Sequence, residues 1–199
     1  MNSFDLTILR GLNGLAGRSH IFDVLVATFS AYAPVIFGVL FAIYFFLPGT
    51  DRPLRRRILM AGLGGILAVV ASVVIAMFVY RARPFAALPP GQVHLLLPHT
   101  PDSSFPSDHA MGSGAFAAGM WGAPNRTAPW IFTLAALLVG TSRLIAGVHW
   151  PTDIIASLVL GGLIARATLA LERPLSPLLG FIVGLVERIE GHQRPQAGR

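Results

Sequence analysis

Long apolar runs separated by short polar stretches set the pattern of this chain. They extend from Phe22 to Phe46, Ile58 to Tyr80, Pro106 to Trp121, Pro129 to Ala146 and Pro151 to Leu171. Each approaches the roughly 20 residues a helix needs to cross the hydrocarbon core of a bilayer. The pattern predicts an all-α polytopic membrane helix bundle with about five transmembrane helices, or six. The third run is short and carries Gly112, Ser113, Gly114, Ala117 and Ala118, which suits a helix enclosed by other helices. Two weaker segments flank the core: an N-terminal one with Phe4, Ile8, Leu12 and Leu15, and a C-terminal one from Leu178 to Ile189. Both are too short to span and read as amphipathic interfacial helices. The expected organisation is one integral membrane domain: 1–20 interfacial, 22–171 transmembrane and 172–199 a cytoplasmic tail. The first segment contains Asp5 and no small-residue cleavage site, so it is expected to stay in the mature chain rather than act as a signal peptide.

Composition agrees with burial in lipid. Of 199 residues 54% are hydrophobic and 12% charged, against roughly 25% charged in a soluble domain. No cysteine is present, which removes disulfides and thiolate metal sites. All 15 basic residues are arginine and the net charge is +6. They lie in short stretches between apolar runs, so they read as orientation signals and not as a nucleic-acid surface. Ten fall on one side: Arg52, Arg55, Arg56, Arg57, Arg126, Arg166, Arg173, Arg188, Arg194 and Arg199. Five fall on the other: Arg10, Arg18, Arg81, Arg83 and Arg143. The richer side is expected to be cytoplasmic, placing the N-terminus and the loop from Arg81 to Phe105 outside.

That outer side collects three polar clusters: Arg81, Arg83 and Pro84; Phe105, Pro106, Ser107, Asp108 and His109; and Ser142, Arg143, His149 and Asp153. Singly each has a plain explanation: a snorkelling arginine, a packing histidine, an acid favoured by the first turn of a helix. Together they supply what phosphoryl transfer needs. Two arginine forks match phosphate oxygens. Pro106 to His109 opens a helix whose first N–H groups are free for an anion, and Ser107 adds a hydroxyl. Two histidines provide a nucleophile and a proton donor. Asp153, four residues after His149, is expected to reach back and hold that imidazole in one tautomer. His94, His99 and Asp102 lie in the connecting loop without a recognised ligand spacing, and that Pro-rich loop, with Leu95, Leu96 and Leu97, is expected to border the substrate entrance. The acids are too few and too near the phosphate clamp for a magnesium cage, so no metal and no other cofactor is expected.

These clusters resemble the motifs of the type 2 phosphatidic acid phosphatases, a family that includes haloperoxidases and glucose 6-phosphatase. Ser142 to Asp153 reads S-R-x5-H-x3-D, as in the family's third motif. Pro106 to His109 reads P-S-D-H where the family usually has P-S-G-H, and Arg83 with Pro84 fits its first motif. The resemblance covers about Ile58 to Leu171. The lysine of the first motif is replaced by Ala76, with Arg81 the candidate substitute. Asp108, together with R-P-F at Arg83 to Phe85 and F-P-S-D-H at Phe105 to His109, resembles the bacitracin-resistance branch, the undecaprenyl-diphosphate phosphatases. The resemblance implies that His149 attacks the terminal phosphorus to form a phosphohistidine with Asp153 orienting it. His109 then protonates the departing oxygen and later activates water. Arg83, Arg143, Ser107 and Arg81, with Asp108 beside them, hold the transferring phosphate. The implied substrate is a polyprenyl diphosphate lipid, and the implied location is a bacterial inner membrane with the site outside. A homodimer is left open. Other lipid phosphates, phosphate transfer to another lipid, and an anion channel are the competing readings. The gathering of polar residues at one face argues against a channel.

Overall fold

A computed structural model describes residues 2–193. Its elements are α1 (Ser3–Asn13), α2 (His20–Phe46), α3 (Arg52–Ala76), α4 (Pro84–Ala87), α5 (Asp108–Met120), α6 (Ala128–Ile145), α7 (Pro151–Leu169) and α8 (Ser176–Gln193). Among the described residues all regular structure is helical, apart from one isolated bridge between Ala82 and Ser103. Four helices, α2, α3, α6 and α7, are long and apolar enough to cross a membrane. The chain is a multi-pass membrane protein.

Local chemistry explains where these helices begin. Asp51 caps α3 by accepting from Leu54 N at 2.9 Å, and Pro53 occupies its first turn. The helix therefore starts at Arg52, not at Ile58 where the apolar run begins, and its arginines form the first turns. Arg55 is buried, donating to the Phe45 carbonyl at 3.1 Å and pairing with Glu190 of α8. At the other end α3 stops at Ala76 and not at Tyr80. Met77, Phe78 and Tyr80 leave the helix and project outward.

The third expected crossing, α5, is 13 residues long. At 1.5 Å per residue it rises about 20 Å, short of a full span of about 30 Å. It lies at the centre, packed against α3, α6 and α7. Small residues permit this approach: a Cβ on Gly161 of α7 would overlap the Met111 carbonyl, and one on Gly119 would lie 2.9 Å from Ala61 Cα on α3. Phe37, Phe116 and Phe132 pack around one end of α5, with 4.7 Å between the Phe116 and Phe132 centroids. The outward faces of α2, α3, α6 and α7 carry exposed Leu25, Val35, Val73, Leu134 and Leu163, the surface hydrocarbon requires.

The terminal helices sit at opposite ends of the bundle. Helix α8 is longer than its expected Leu178 to Ile189 core, and Leu179 and Val183 face inward while Arg52 pairs with Glu187 at 2.6 Å. Arg194 and Arg199 lie outside the described residues. Helix α1 packs against α6 and α7, and the face it buries carries Asp5, Leu9 and Asn13, leaving Phe4 exposed.

Gly161→Ala is expected to destabilise the bundle by about 1–3 kcal/mol through overpacking at the α5–α7 contact. Gly180→Ala on α8, where a Cβ meets open space, serves as control, and thermal unfolding in detergent measures both.

Candidate active site

The segment between α3 and α5 folds back over the bundle end. Ser104 N donates to the Arg81 carbonyl at 2.7 Å, and Ala82 bridges Ser103. Trp150 Nε1 reaches the Ala82 carbonyl at 2.8 Å. These backbone ties bring all three sequence clusters together, although 57 residues lie between the first and the third.

His149 is 1% exposed. Its Nδ1 lies 2.7 Å from the carbonyl oxygen of Ser104. A carbonyl only accepts, so Nδ1 carries the hydrogen and Nε2 keeps its lone pair. Arg83 Nη1 lies 3.3 Å from that Nε2 and donates to the Val148 carbonyl at 2.8 Å, while Arg83 Nε holds Asp102 at 2.6 Å. Burial first, then the charges of Arg143 and Arg83, push the His149 pKa well below the ordinary histidine value. The imidazole is thus neutral, a state suited to nucleophilic attack.

Arg143, 3% exposed, donates from Nη1 to Ser30 Oγ at 3.2 Å, and its Nη2 lies 3.4 Å from His99 Nε2. Its Nε is buried without a partner. An orphan donor on a buried guanidinium is costly, and a phosphate oxygen would satisfy it. His109 places Nδ1 at 2.8 Å from Asp108 Oδ1, which by the same reasoning leaves Nε2 free to exchange a proton. Asp108 acts electrostatically on both Arg143 and His149, so the second cluster shares the field of the third. Asp108 and His109 also line a groove of about 480 Å³ between α2, α3 and α5, otherwise walled by Ser113 and by apolar residues such as Phe37, Phe41, Val69, Val70 and Phe116.

Four expectations change. Asp153 does not hold His149 directly: its carboxylate takes Ser104 Oγ at 2.5 Å, Trp150 N at 3.1 Å and Arg81 Nη1 at 2.5 Å. The Ser104 carbonyl occupies the imidazole's Nδ1 in its place. Arg81, expected among the phosphate ligands, has its fork held between Asp5 and Asp153 and lies 5.4 Å over the Trp150 ring. Asp108, an anion paired with His109, orients that ring rather than binding a second anion. The N–H groups opening α5 are largely taken: Ser107 N by Ser157 Oγ at 2.9 Å, His109 N by Asp108 at 2.8 Å and Ala110 N by Ser107 Oγ at 3.4 Å. Ser107 itself is fully buried as the cap.

Sequence reasoning missed Ser104, whose contribution is a backbone carbonyl that no side-chain pattern signals. It also passed over Asp5, an acid in an apolar segment. Asp102 and His99 were given no site role and yet touch both buried arginines. Burial alone would raise the Asp102 carboxyl, but its Arg83 hydrogen bond holds it below the usual range.

Nitrogen NMR of the His149 ring is expected to show a neutral imidazole protonated at Nδ1 at pH 6, where an ordinary histidine of pKa about 6.5 is mostly charged. A charged ring at that pH would contradict this electrostatic picture.

Residues 57–175 match the PAP2 superfamily. The chain is 33% identical over 183 residues, 92% of its length and 91% of the relative's, to undecaprenyl-diphosphatase BcrC of Bacillus subtilis. It is 34% identical over 113 residues, 54% of its length and 51% of the relative's, to an undecaprenyl-diphosphatase of Sulfolobus acidocaldarius. Among solved structures, Aquifex aeolicus LpxE shares the fold with a TM-score of 0.64 at 24% identity, over 85% of this chain and 96% of that one. The family match covers more than half of the chain and the Bacillus subtilis relative is matched over 91% of its length, so this chain belongs to the PAP2 superfamily.

Proposed function

We propose that this protein removes the terminal phosphate of undecaprenyl diphosphate, or a closely similar polyprenyl diphosphate, giving the lipid monophosphate and inorganic phosphate. The observation that carries the chemistry is the His149 imidazole, locked by the Ser104 carbonyl with its Nε2 lone pair beside Arg83. Nε2 attacks the terminal phosphorus, and the bond from phosphorus to the bridging oxygen breaks. The departing monophosphate takes a proton from His109 Nε2. Water, deprotonated by His109, then attacks the phosphohistidine, releasing phosphate and restoring His149. Arg83 and Arg143 bind the equatorial oxygens and neutralise the charge that builds on them. None of these steps is assigned to a metal.

The groove that Asp108 and His109 line supports a lipid substrate, since a largely apolar channel between α2, α3 and α5 accepts a hydrocarbon chain while its head reaches the arginines. The choice of a polyprenyl diphosphate is supported by the 33% identical relative of that name. A second reading keeps the site and changes the lipid. It is favoured by 39% identity over 108 residues to a decaprenylphosphoryl-5-phosphoribose phosphatase of Mycolicibacterium smegmatis.

We infer further that the site opens outside a bacterial inner membrane, with the N-terminus outside and the C-terminus in the cytoplasm. Arg52, Arg55, Arg56 and Arg57 open α3 at the bundle end away from the site, and basic residues are retained on the cytoplasmic side.

Purified protein in detergent with a chelator is expected to release phosphate from a polyprenyl diphosphate faster than from a polyprenyl monophosphate or phosphatidylglycerophosphate, and His149→Ala to abolish release. Preference for either other lipid overturns the substrate, and an active His149→Ala overturns the nucleophile. A Cβ on Gly38 of α2 meets open space in the groove, so Gly38→Leu, which narrows it, should raise KM roughly tenfold, equivalent to about 1.4 kcal/mol of lost binding.

Orientation is readable because the chain has no cysteine. A membrane-impermeant maleimide should label Gln92→Cys in intact spheroplasts and Pro124→Cys only after lysis. The reverse pattern overturns the topology.

A further inference from the structure

Asp5 lies on the inward face of α1 and is fully buried. One carboxylate oxygen accepts from Thr152 N at 2.9 Å. The other accepts from Thr152 Oγ1 at 2.9 Å and from Arg81 Nη2 at 2.5 Å. Thr152 stands in the first turn of α7, where backbone N–H groups lack partners within their own helix. Asp5 therefore caps α7 from a different helix, with the charge that a helix N-terminus favours.

The same bonds continue toward the reacting atom. Arg81 Nη1 donates to Thr152 Oγ1 at 2.7 Å and to Asp153 at 2.5 Å. Asp153 accepts from Ser104 Oγ at 2.5 Å, and the carbonyl of the same Ser104 fixes His149 Nδ1 at 2.7 Å. Arg83 and Arg143 take no part in this series; their partners are Asp102, Val148, His149, Ser30 and His99.

We propose that Asp5 is a positioning residue for phosphoryl transfer, acting through Arg81, Thr152, Asp153 and Ser104 to aim His149, so that the N-terminal helix is part of the active site. The inference rests on the reading that His149 attacks phosphorus. Arg81 sits between two buried carboxylates and is held from both sides. Without the Asp5 charge it is held from one side only, and the first turn of α7 loses its cap. The error passes to Ser104 and to the imidazole, while the arginines that bind phosphate keep their own anchors. Turnover should suffer and phosphate binding should not.

The test uses the full-length protein in detergent and the variants Asp5→Asn, Arg81→Gln, the double variant and His149→Ala. Asp5→Asn keeps the shape and one acceptor oxygen while removing the charge. Its kcat for phosphate release is expected to fall about 10- to 100-fold, the scale of loss for a group displaced by about an ångström. KM and the stoichiometry and Kd of inorganic phosphate, measured by calorimetry, should stay within about twofold. Arg81→Gln should show a similar loss, and the double variant should be no slower than the worse single one, as expected of residues acting in series. Three results overturn the proposal: wild-type kcat in Asp5→Asn, losses that multiply in the double variant, or phosphate stoichiometry that falls in step with kcat and so reports misfolding. Activity in His149→Ala would instead overturn the underlying reading. An inactive His149→Ala beside an unimpaired Asp5→Asn sinks this inference alone.

Discussion

Asp153 is fully buried at the mouth of a bundle whose outer wall faces hydrocarbon, and an unpaired carboxylate there would cost several kcal/mol. The Arg81 fork offsets that cost, but a single guanidinium bridging to one acid would leave half of its donors idle. Asp5 completes the arrangement from the far end of the sequence. The loop between α3 and α5 is fastened to the first turn of α7 by these groups, and the histidine and arginines are placed as a consequence. Remove the electrostatic closure and the apolar bundle still has reason to form, but its polar end has no reason to adopt one arrangement.

A second closure is deliberately incomplete. Arg83 has three partners, whereas the Arg143 Nε is buried and unmet. Burial lowers the basicity of His149 most, and the charges of Arg143 and Arg83 lower it further. The two arginines of the cradle thus also help to keep the imidazole neutral.

Much of this was legible in the chain because both signals are local. Apolar runs long enough to span fix the helices, and the three clusters carry the residues that phosphoryl transfer requires. Helix limits shifted where capping outweighed hydropathy: Asp51 and Pro53 start α3 six residues ahead of its apolar run. The site's inner wiring was not legible, because it depends on which loop closes on which helix. Spacing alone put Asp153 within reach of His149, and the fold inserted Ser104 between them. Arg81 looked like a spare phosphate ligand until Asp5, 76 positions away, claimed half of its fork.

The brevity of α5 has a geometric consequence. A helix rising about 20 Å cannot connect the two faces of a slab about 30 Å thick, and its cap Ser107 meets Ser157, which lies beyond the first turn of α7, so the histidine at its start stands below the level at which α7 emerges. The catalytic floor is a recess within the membrane's own thickness. A lipid with its phosphates at the headgroup level meets this recess by sliding along the bilayer plane and sinking, with no need to be drawn out into water. Only the small species, water entering and phosphate leaving, have to travel along the membrane normal.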